Sequence, residues 1–392
     1  MTLRSMDRLE VGGRRVLLRL DLNVPVKNGT VGDPTRIREA APTVRALLDR
    51  GAIVIACSHL GRAKGRPDPT LSLAPVAGVL AEFIGRPVRF VPDLVGDVAR
   101  AAVAQAHPGE VLLLENLRFD AGEEGNDPAF CERLAALADL YVNDAFGTAH
   151  RAHASTAGVA ALFAEPAAGP LMAREIAALS RVRDTPEHPF VAIVGGAKIS
   201  GKLETLLALL GRADAIVLVG GMANTFLLAG GVAVGHSLVE ADLLDTARDI
   251  LVRARARNAR VVLPTDVVVA TALDAPEGRV VSATAVGADD MILDIGPETR
   301  AVIAGVIATA RTVFWNGPAG VFEKAPFAAG TLAIATALAR CPGFTVVGGG
   351  ESVAAVQQAG VAAHLGHVST GGGASLEFLA GDRLPGVAAL EV

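Results

Sequence analysis

Cysteine, lysine, tryptophan and tyrosine are all scarce in this chain of 392 residues, and each shortage removes a class of explanation. The three cysteines, Cys57, Cys131 and Cys341, are odd in number and far apart, with no CxxC pair and no histidine at zinc-ligand spacing. A disulfide framework is thereby excluded, and reduced structural thiols are expected. No apolar run reaches the length of a membrane span, and the first residues, MTLRSMDRLEVGGRR, are charged where a signal peptide needs an apolar core. The expected location is the cytoplasm, with no membrane partner. Charge of one sign is also lacking: the net value of -5 gives no general attraction to polyanions, so nucleic acid is not an expected partner. No repeat at a solenoid period and no low-complexity tract stands out.

What is abundant is aliphatic residues and glycine. Half the residues are apolar and 43 are glycine, a mix suited to buried strands joined by tight turns. The length exceeds the roughly 250–300 residues at which one hydrophobic core usually divides. Short apolar runs recur at Val16 to Leu20, Ala52 to Cys57, Val111 to Leu114 and Leu140 to Val142. The rhythm restarts at Val191 to Val194, Ile216 to Val219, Val261 to Leu263, Val313 to Trp315 and Thr345 to Val347. Because these runs are continuous and not alternating, they read as strands covered on both faces, hence parallel sheets flanked by helices. The prediction is α/β, with two Rossmann-like domains. Glu165-Pro166, Gly169-Pro170, a helical stretch Leu171 to Val182 and the segment TPEHP punctuate the middle. The expected layout is domain 1–168, an interdomain helix and hinge 169–189, and domain 190–380.

Only Lys27, Lys64, Lys198, Lys202 and Lys324 are lysines, and two of them stand four apart in GGAKISGK at the exit of a strand. Free N–H groups and the helix dipole at such a junction favour an anion, to which lysine adds a mobile charge. Two solvated lysines on a helix face are the bland alternative. Gly196, Gly201 and Lys202 have P-loop spacing, but Leu203 stands where a P-loop needs Ser or Thr for magnesium. A second glycine group, Gly348-Gly349-Gly350-Glu351-Ser352, follows another strand. There close backbone approach is possible, Glu351 is a candidate for magnesium and Ser352 for a phosphate oxygen. Gly371-Gly372-Gly373 repeats the arrangement after the strand His367 to Ser369. Trp315 to Glu323 suits a nucleotide edge and ribose, or a purely structural loop.

In the first half the basic residues at strand ends are arginines: Arg36, Arg62, Arg118 and Arg151, with Asp21, Asn23 and His59 nearby in the pattern. Arginine's planar fork matches phosphate or carboxylate, and ligands of open α/β sheets gather at the carboxyl ends of strands. A small phosphorylated acid fits this group, whereas any single arginine is more often a surface ion-pair partner.

Taken in order, the segments DLNVPV, DPTRIR, SHLGRAKG, LLLENLRF, NDAFGTAHRAHAS, GGAKISGK, GGMANTF, WNGPAGVFE, VVGGGES and STGGGASLEFL resemble the phosphoglycerate kinase family over nearly the whole chain. The resemblance implies a hinged, monomeric enzyme with an interdomain cleft. It would take 3-phosphoglycerate or 1,3-bisphosphoglycerate on the N-terminal domain and ATP or ADP with Mg2+ on the C-terminal one. It implies that Asp21, Asn23 and His59 lie near the hydroxyl and carboxylate of the acid, and that Arg62, Arg118 and Arg151 hold its non-transferred phosphate. Arg36, with Lys198, Gly349 and Gly372, would stabilise the group in transit. Lys198, Lys202, Gly296, Glu323, Gly349, Gly350, Glu351 and Ser352 would serve the nucleotide, Glu351 also carrying Mg2+. The tail after Gly381 would return to the N-terminal domain. Two departures stand out: Glu351 replaces the usual aspartate, and Gly201 replaces a more usual polar residue. A P-loop ATPase, a Rossmann dehydrogenase and a non-catalytic nucleotide-binding module are the competing classes. Leu203 speaks against the first and the lack of a GxGxxG after either leading strand against the second. The complete arginine group is unnecessary to the third.

Overall fold

The computed structural model describes residues 2–392 and divides into two compact units. One runs through Ile176 and takes in Arg383–Val392, and the other is Ala177–Asp382. The division falls inside a single helix, Pro170–Asp184. It begins where Gly169 is packed so closely on Asp144 that a Cβ would lie 2.3 Å from the carboxyl carbon.

The first unit is built on a six-stranded parallel sheet, in the spatial order Val88–Val91, Val111–Leu114, Ile53–Cys57, Arg15–Arg19, Leu140–Asn143 and Ala167–Ala168. Its central strands are buried along their length, which is why they read as unbroken apolar runs. Val88–Val91 is an edge strand with alternating exposure, and it escapes a reading tuned to continuous runs. The residues Val16, Leu18, Val54 and Leu113 pack against Val44, Leu47, Val76 and Leu80 of two covering helices, Thr35–Asp49 and Ala74–Ile84. Asp33 starts the first of these helices by accepting from the Thr35 N–H at 3.0 Å and its hydroxyl at 2.6 Å. The C-terminal segment lies on this unit: Gly386 N–H donates to the Ala149 carbonyl at 2.8 Å, Arg4 N–H to Leu390 at 3.2 Å, and Leu384, Val387 and Leu390 are buried.

The second unit carries another six-stranded parallel sheet, ordered Arg260–Val262, Ala215–Leu218, Phe190–Val194, Thr312–Asn316, Phe344–Gly348 and His367–Val368. In chain order this is 3-2-1-4-5-6, so the direction of winding reverses between Phe190–Val194 and Thr312–Asn316. A small antiparallel sheet, Arg279–Ser282, Asp266–Ala270 and Met291–Ile295, is added to it. The sequence reading did not anticipate this sheet, because Val267–Val269 is another continuous apolar run and gives no cue to strand direction.

Candidate functional site

The carboxyl ends of the strands in the first unit collect a cationic group around one buried histidine. His59 follows the strand Ile53–Cys57 and is 4% exposed. Its proton affinity is pushed well below the ordinary histidine range, first by burial and then by the charges of Arg19, Arg118, Arg36 and Arg151. Burial and then the charges of four arginines disfavour the charged imidazole, and Arg19 reaches its Nδ1 at 3.4 Å. Asn23 faces the same loop, its side-chain oxygen accepting from Gly61 N–H at 2.9 Å. Arg118 donates to the Gly61 carbonyl at 2.6 Å and pairs with Glu124 at 3.1 Å. Asp21 pairs with Arg36 in the first turn of the helix Thr35–Asp49. Arg151 is exposed and donates from Nε to His150 at 3.1 Å. Arg62 is exposed.

Beneath the group lies a buried polar chain that the sequence reading missed. Arg19, fully buried at the end of the central strand, donates from Nε to the Ser155 hydroxyl at 2.7 Å, and that hydroxyl donates to Glu123 at 2.6 Å. Burial raises the proton affinity of Glu123, while Arg19 and Ser155 counter it. His153 stands 3.8 Å from the same carboxylate and is lowered to about 4, chiefly by burial. The signal available beforehand was the arginine itself, a charge inside the apolar run VLLRL.

In the second unit the reversal of winding opens a cavity of about 430 Å3, within the usual range for small-molecule sites. Gly196, Gly220, Leu238, Leu273, Met291 and Pro318 supply much of its wall, with Glu323 and Glu351 at its margin. Several of these are glycines because backbones crowd here: a Cβ on Gly220 would meet the Pro318 oxygen at 2.7 Å and Gly196 N at 2.8 Å. Lys202 reaches back to donate to the Gly195 carbonyl at 2.8 Å. Burial lowers its proton affinity to about 8, opposed by the charge of Glu351. Lys198 is exposed on the turn between them.

The two triglycine junctions lie side by side, since Phe344–Gly348 pairs with His367–Val368 and Ser369 N–H donates to Val347 at 2.8 Å. Gly349 caps the helix Gly350–Gln358 at φ +90°, where a Cβ would lie 2.7 Å from Asn316 Nδ2. Gly372 caps Gly373–Ala380 at φ +54°. The Asn316 amide is 1% exposed and its Nδ2 donor has no partner, which leaves it available to a ligand. Glu351 is an exposed carboxylate in the first turn of the helix. No group of three or more His, Cys, Asp or Glu side chains able to hold a metal occurs among the described residues. A single hard oxygen donor of this kind fits magnesium that arrives with a phosphate ligand.

Partners distant in sequence surround three of the candidates. Ser352 is fully buried and its hydroxyl oxygen accepts from Gly317 N–H at 2.6 Å, which leaves its O–H proton to donate. Gly296 caps the helix Pro297–Ala308 beside Asp266, whose carboxylate oxygen lies 2.2 Å from where a Cβ would stand. The N–H groups after Lys198 are not free, because Ile199 and Ser200 both donate to Glu240. Buried Asp294, raised to about 6 mainly by burial, also lines the cavity and was not anticipated.

Residues 6–382 match the family model described as phosphoglycerate kinase. A phosphoglycerate kinase of Thermomicrobium roseum is 54% identical over 389 residues, 99% of each chain. Among solved structures, phosphoglycerate kinase from Coxiella burnetii superposes with a TM-score of 0.90 at 42% identity, covering 99% of each chain. That from Pyrococcus horikoshii OT3 gives 0.87 at 33%, covering 99% of this chain and 98% of the other.

Proposed function

We propose that this chain, which belongs to the phosphoglycerate kinase family, catalyses reversible phosphoryl transfer between 1,3-bisphosphoglycerate plus ADP and 3-phosphoglycerate plus ATP, a step of glycolysis and gluconeogenesis. The observation that carries the reading is that the chain keeps two anion-receiving groups of different character. One is the arginine cluster around His59 in the first unit; the other is the cavity with Lys202 and the paired glycine junctions in the second. A nucleotide-binding module or simple ATPase needs only the second.

In this reading the acid lies on the first unit, with Asp21, Asn23 and neutral His59 contacting its hydroxyl and carboxylate and Arg62, Arg118 and Arg151 its distal phosphate. An imidazole kept uncharged hydrogen-bonds without adding to the local positive charge. The nucleotide occupies the cavity, its phosphates reaching Lys198, Lys202, the Asn316 amide and the backbone N–H groups of Gly350 to Ser352. Glu323 serves the ribose. Glu351 holds Mg2+ together with the phosphates, and the metal supplies neutralisation of phosphate charge. Phosphoryl transfer asks the protein for in-line positioning and electrostatic stabilisation and needs no enzyme nucleophile. Arg36 and Lys198 supply positive charge to the group in transit, and the helix starts at Gly349 and Gly372 supply oriented N–H dipoles. Because acceptor and donor belong to different units, turnover requires hinge closure. The enzyme is taken to act as a cytoplasmic monomer. Three unpaired cysteines suit a reducing compartment, and no helix among the described residues is long and apolar enough to cross a membrane.

The test is ADP formation from Mg-ATP by the purified protein with and without 3-phosphoglycerate. Strict dependence on the acid supports the reading. Hydrolysis independent of the acid, or no turnover by folded, nucleotide-binding protein, overturns it.

A further inference from the structure

We propose that Glu240 is a positioning residue for phosphoryl transfer, holding the turn that presents Lys198. The inference rests on the kinase reading of Lys198, but the contacts that motivate it do not. The Glu240 carboxylate accepts the backbone N–H groups of Ile199 and Ser200, the latter at 3.2 Å, and the Ser200 hydroxyl at 2.6 Å. These residues immediately follow Lys198, and they are the donors that a helix start would otherwise offer to a bound anion. A side chain of this same unit fills that position.

The other end of Glu240 is fixed. Its own N–H donates at 3.1 Å to the hydroxyl of Thr225, which is 1% exposed on the helix Gly220–Ala229. Two residues earlier, the Leu238 carbonyl accepts from Asn224 of that helix at 3.2 Å. The near end of the lysine turn is held by backbone bonds from Gly195 to Asn316 at 2.8 Å, from Gly196 to Pro318 at 3.0 Å and from Met222 to Gly196 at 3.0 Å. Its far end is held by Lys202, through its side chain to Gly195 and its N–H to Ile199 at 2.8 Å. Lys198 stands between these anchors, and Glu240 ties down the two residues that follow it.

Gly201 explains why this chain needs the tie. Its backbone is not in the left-handed region and a Cβ there would meet nothing within 4 Å, so neither space nor conformation requires glycine. The residue therefore adds freedom to the turn without a structural return, and an external carboxylate opposes that freedom. The same carboxylate is stabilised in its charged form by the bonds from Ser200 and Ile199, and by the charge of Lys198, against the cost of burial.

The experiment compares the intact protein with Glu240→Ala, Glu240→Gln and the double variant Glu240→Ala/Gly201→Ala. Amide hydrogen exchange at Ile199 and Ser200 is read alongside kcat and KM for ATP and 3-phosphoglycerate. Glu240→Ala is expected to speed exchange at those two amides about tenfold or more. It should lower kcat about tenfold to a hundredfold while KM for 3-phosphoglycerate stays within about twofold. Glu240→Gln, whose amide oxygen still accepts, recovers most of kcat. Gly201→Ala recovers part of it by stiffening the turn. Unchanged exchange in Glu240→Ala, or faster exchange with undiminished kcat, overturns the proposal. So does a Glu240→Gln variant as impaired as Glu240→Ala, since charge and not geometry would then be at work. Absence of acid-dependent turnover in the unmodified protein would instead strike at the kinase reading, while the exchange measurement still tests the latch.

Discussion

Raising the pH from 7 to 9 should weaken ADP binding by removing the charge of Lys202. Its ammonium lies beside the Gly195 carbonyl, and a Cβ on Gly317 would be only 2.5 Å from it. Burial there brings its proton affinity from the ordinary 10.5 down to about 8, with Glu351 pulling the other way. If only the ammonium form holds the phosphates, the apparent Kd scales with one plus the ratio of neutral to charged lysine. That factor is about 1.1 at pH 7 and about 11 at pH 9, so Kd rises about tenfold, or about 1.4 kcal/mol. The terminal phosphate of ADP completes its ionisation in the lowest part of this range, so the change from pH 8 to 9 belongs to the protein. Calorimetric titration with ADP at half-unit steps from pH 7 to 9.5 measures it, and Lys202→Arg, which does not titrate in this range, should flatten the curve. Stability moves in the opposite sense. Between the folded value near 8 and the unfolded 10.5 the unfolded chain binds more protons, so this lysine's contribution to stability rises with pH across that window. A Kd for ADP that stays constant from pH 7 to 9.5 would refute the combination of a lowered Lys202 proton affinity and its contact with the phosphates.

Arg36→Ala should lower kcat about 10²-fold or more with a much smaller change in ADP affinity, because its charge acts on the group in transit; an unchanged kcat in steady-state assay rejects that role. Gly349→Ala forces a side chain onto a φ of +90° and against Asn316. ADP Kd should accordingly rise about tenfold or more, and an unchanged Kd would contradict the account of the junction. Truncation after Asp382 removes Leu384, Val387 and Leu390, each at most 2% exposed. The loss should be about 5 kcal/mol of apolar burial from the first unit, seen as a fall in urea midpoint, and an unshifted midpoint would mean that the segment does not stabilise that unit.

The linear pattern carried much of this protein. Unbroken runs such as Val111–Leu114 announced parallel strands buried on both faces, because a strand covered by helices has no polar side to declare. Glycines and lysines at strand exits marked the candidate phosphate junctions, because backbone approach and mobile charge are properties of residue type and survive being read one position at a time. The partners of those residues were decided only by tertiary structure. The Ser352 hydroxyl accepts from Gly317, 35 residues away. Asp266 fills the space beside Gly296, 30 residues away. The Arg19–Ser155–Glu123 chain joins residues more than 30 positions apart, and Glu240 reaches its two amides across 40 or more. The direction of the strand Asp266–Ala270 was equally hidden, since an apolar run is the same read with parallel or antiparallel neighbours. Local chemistry is written in the residue itself, whereas burial, pairing and shifted proton affinity come from whatever the fold places beside it.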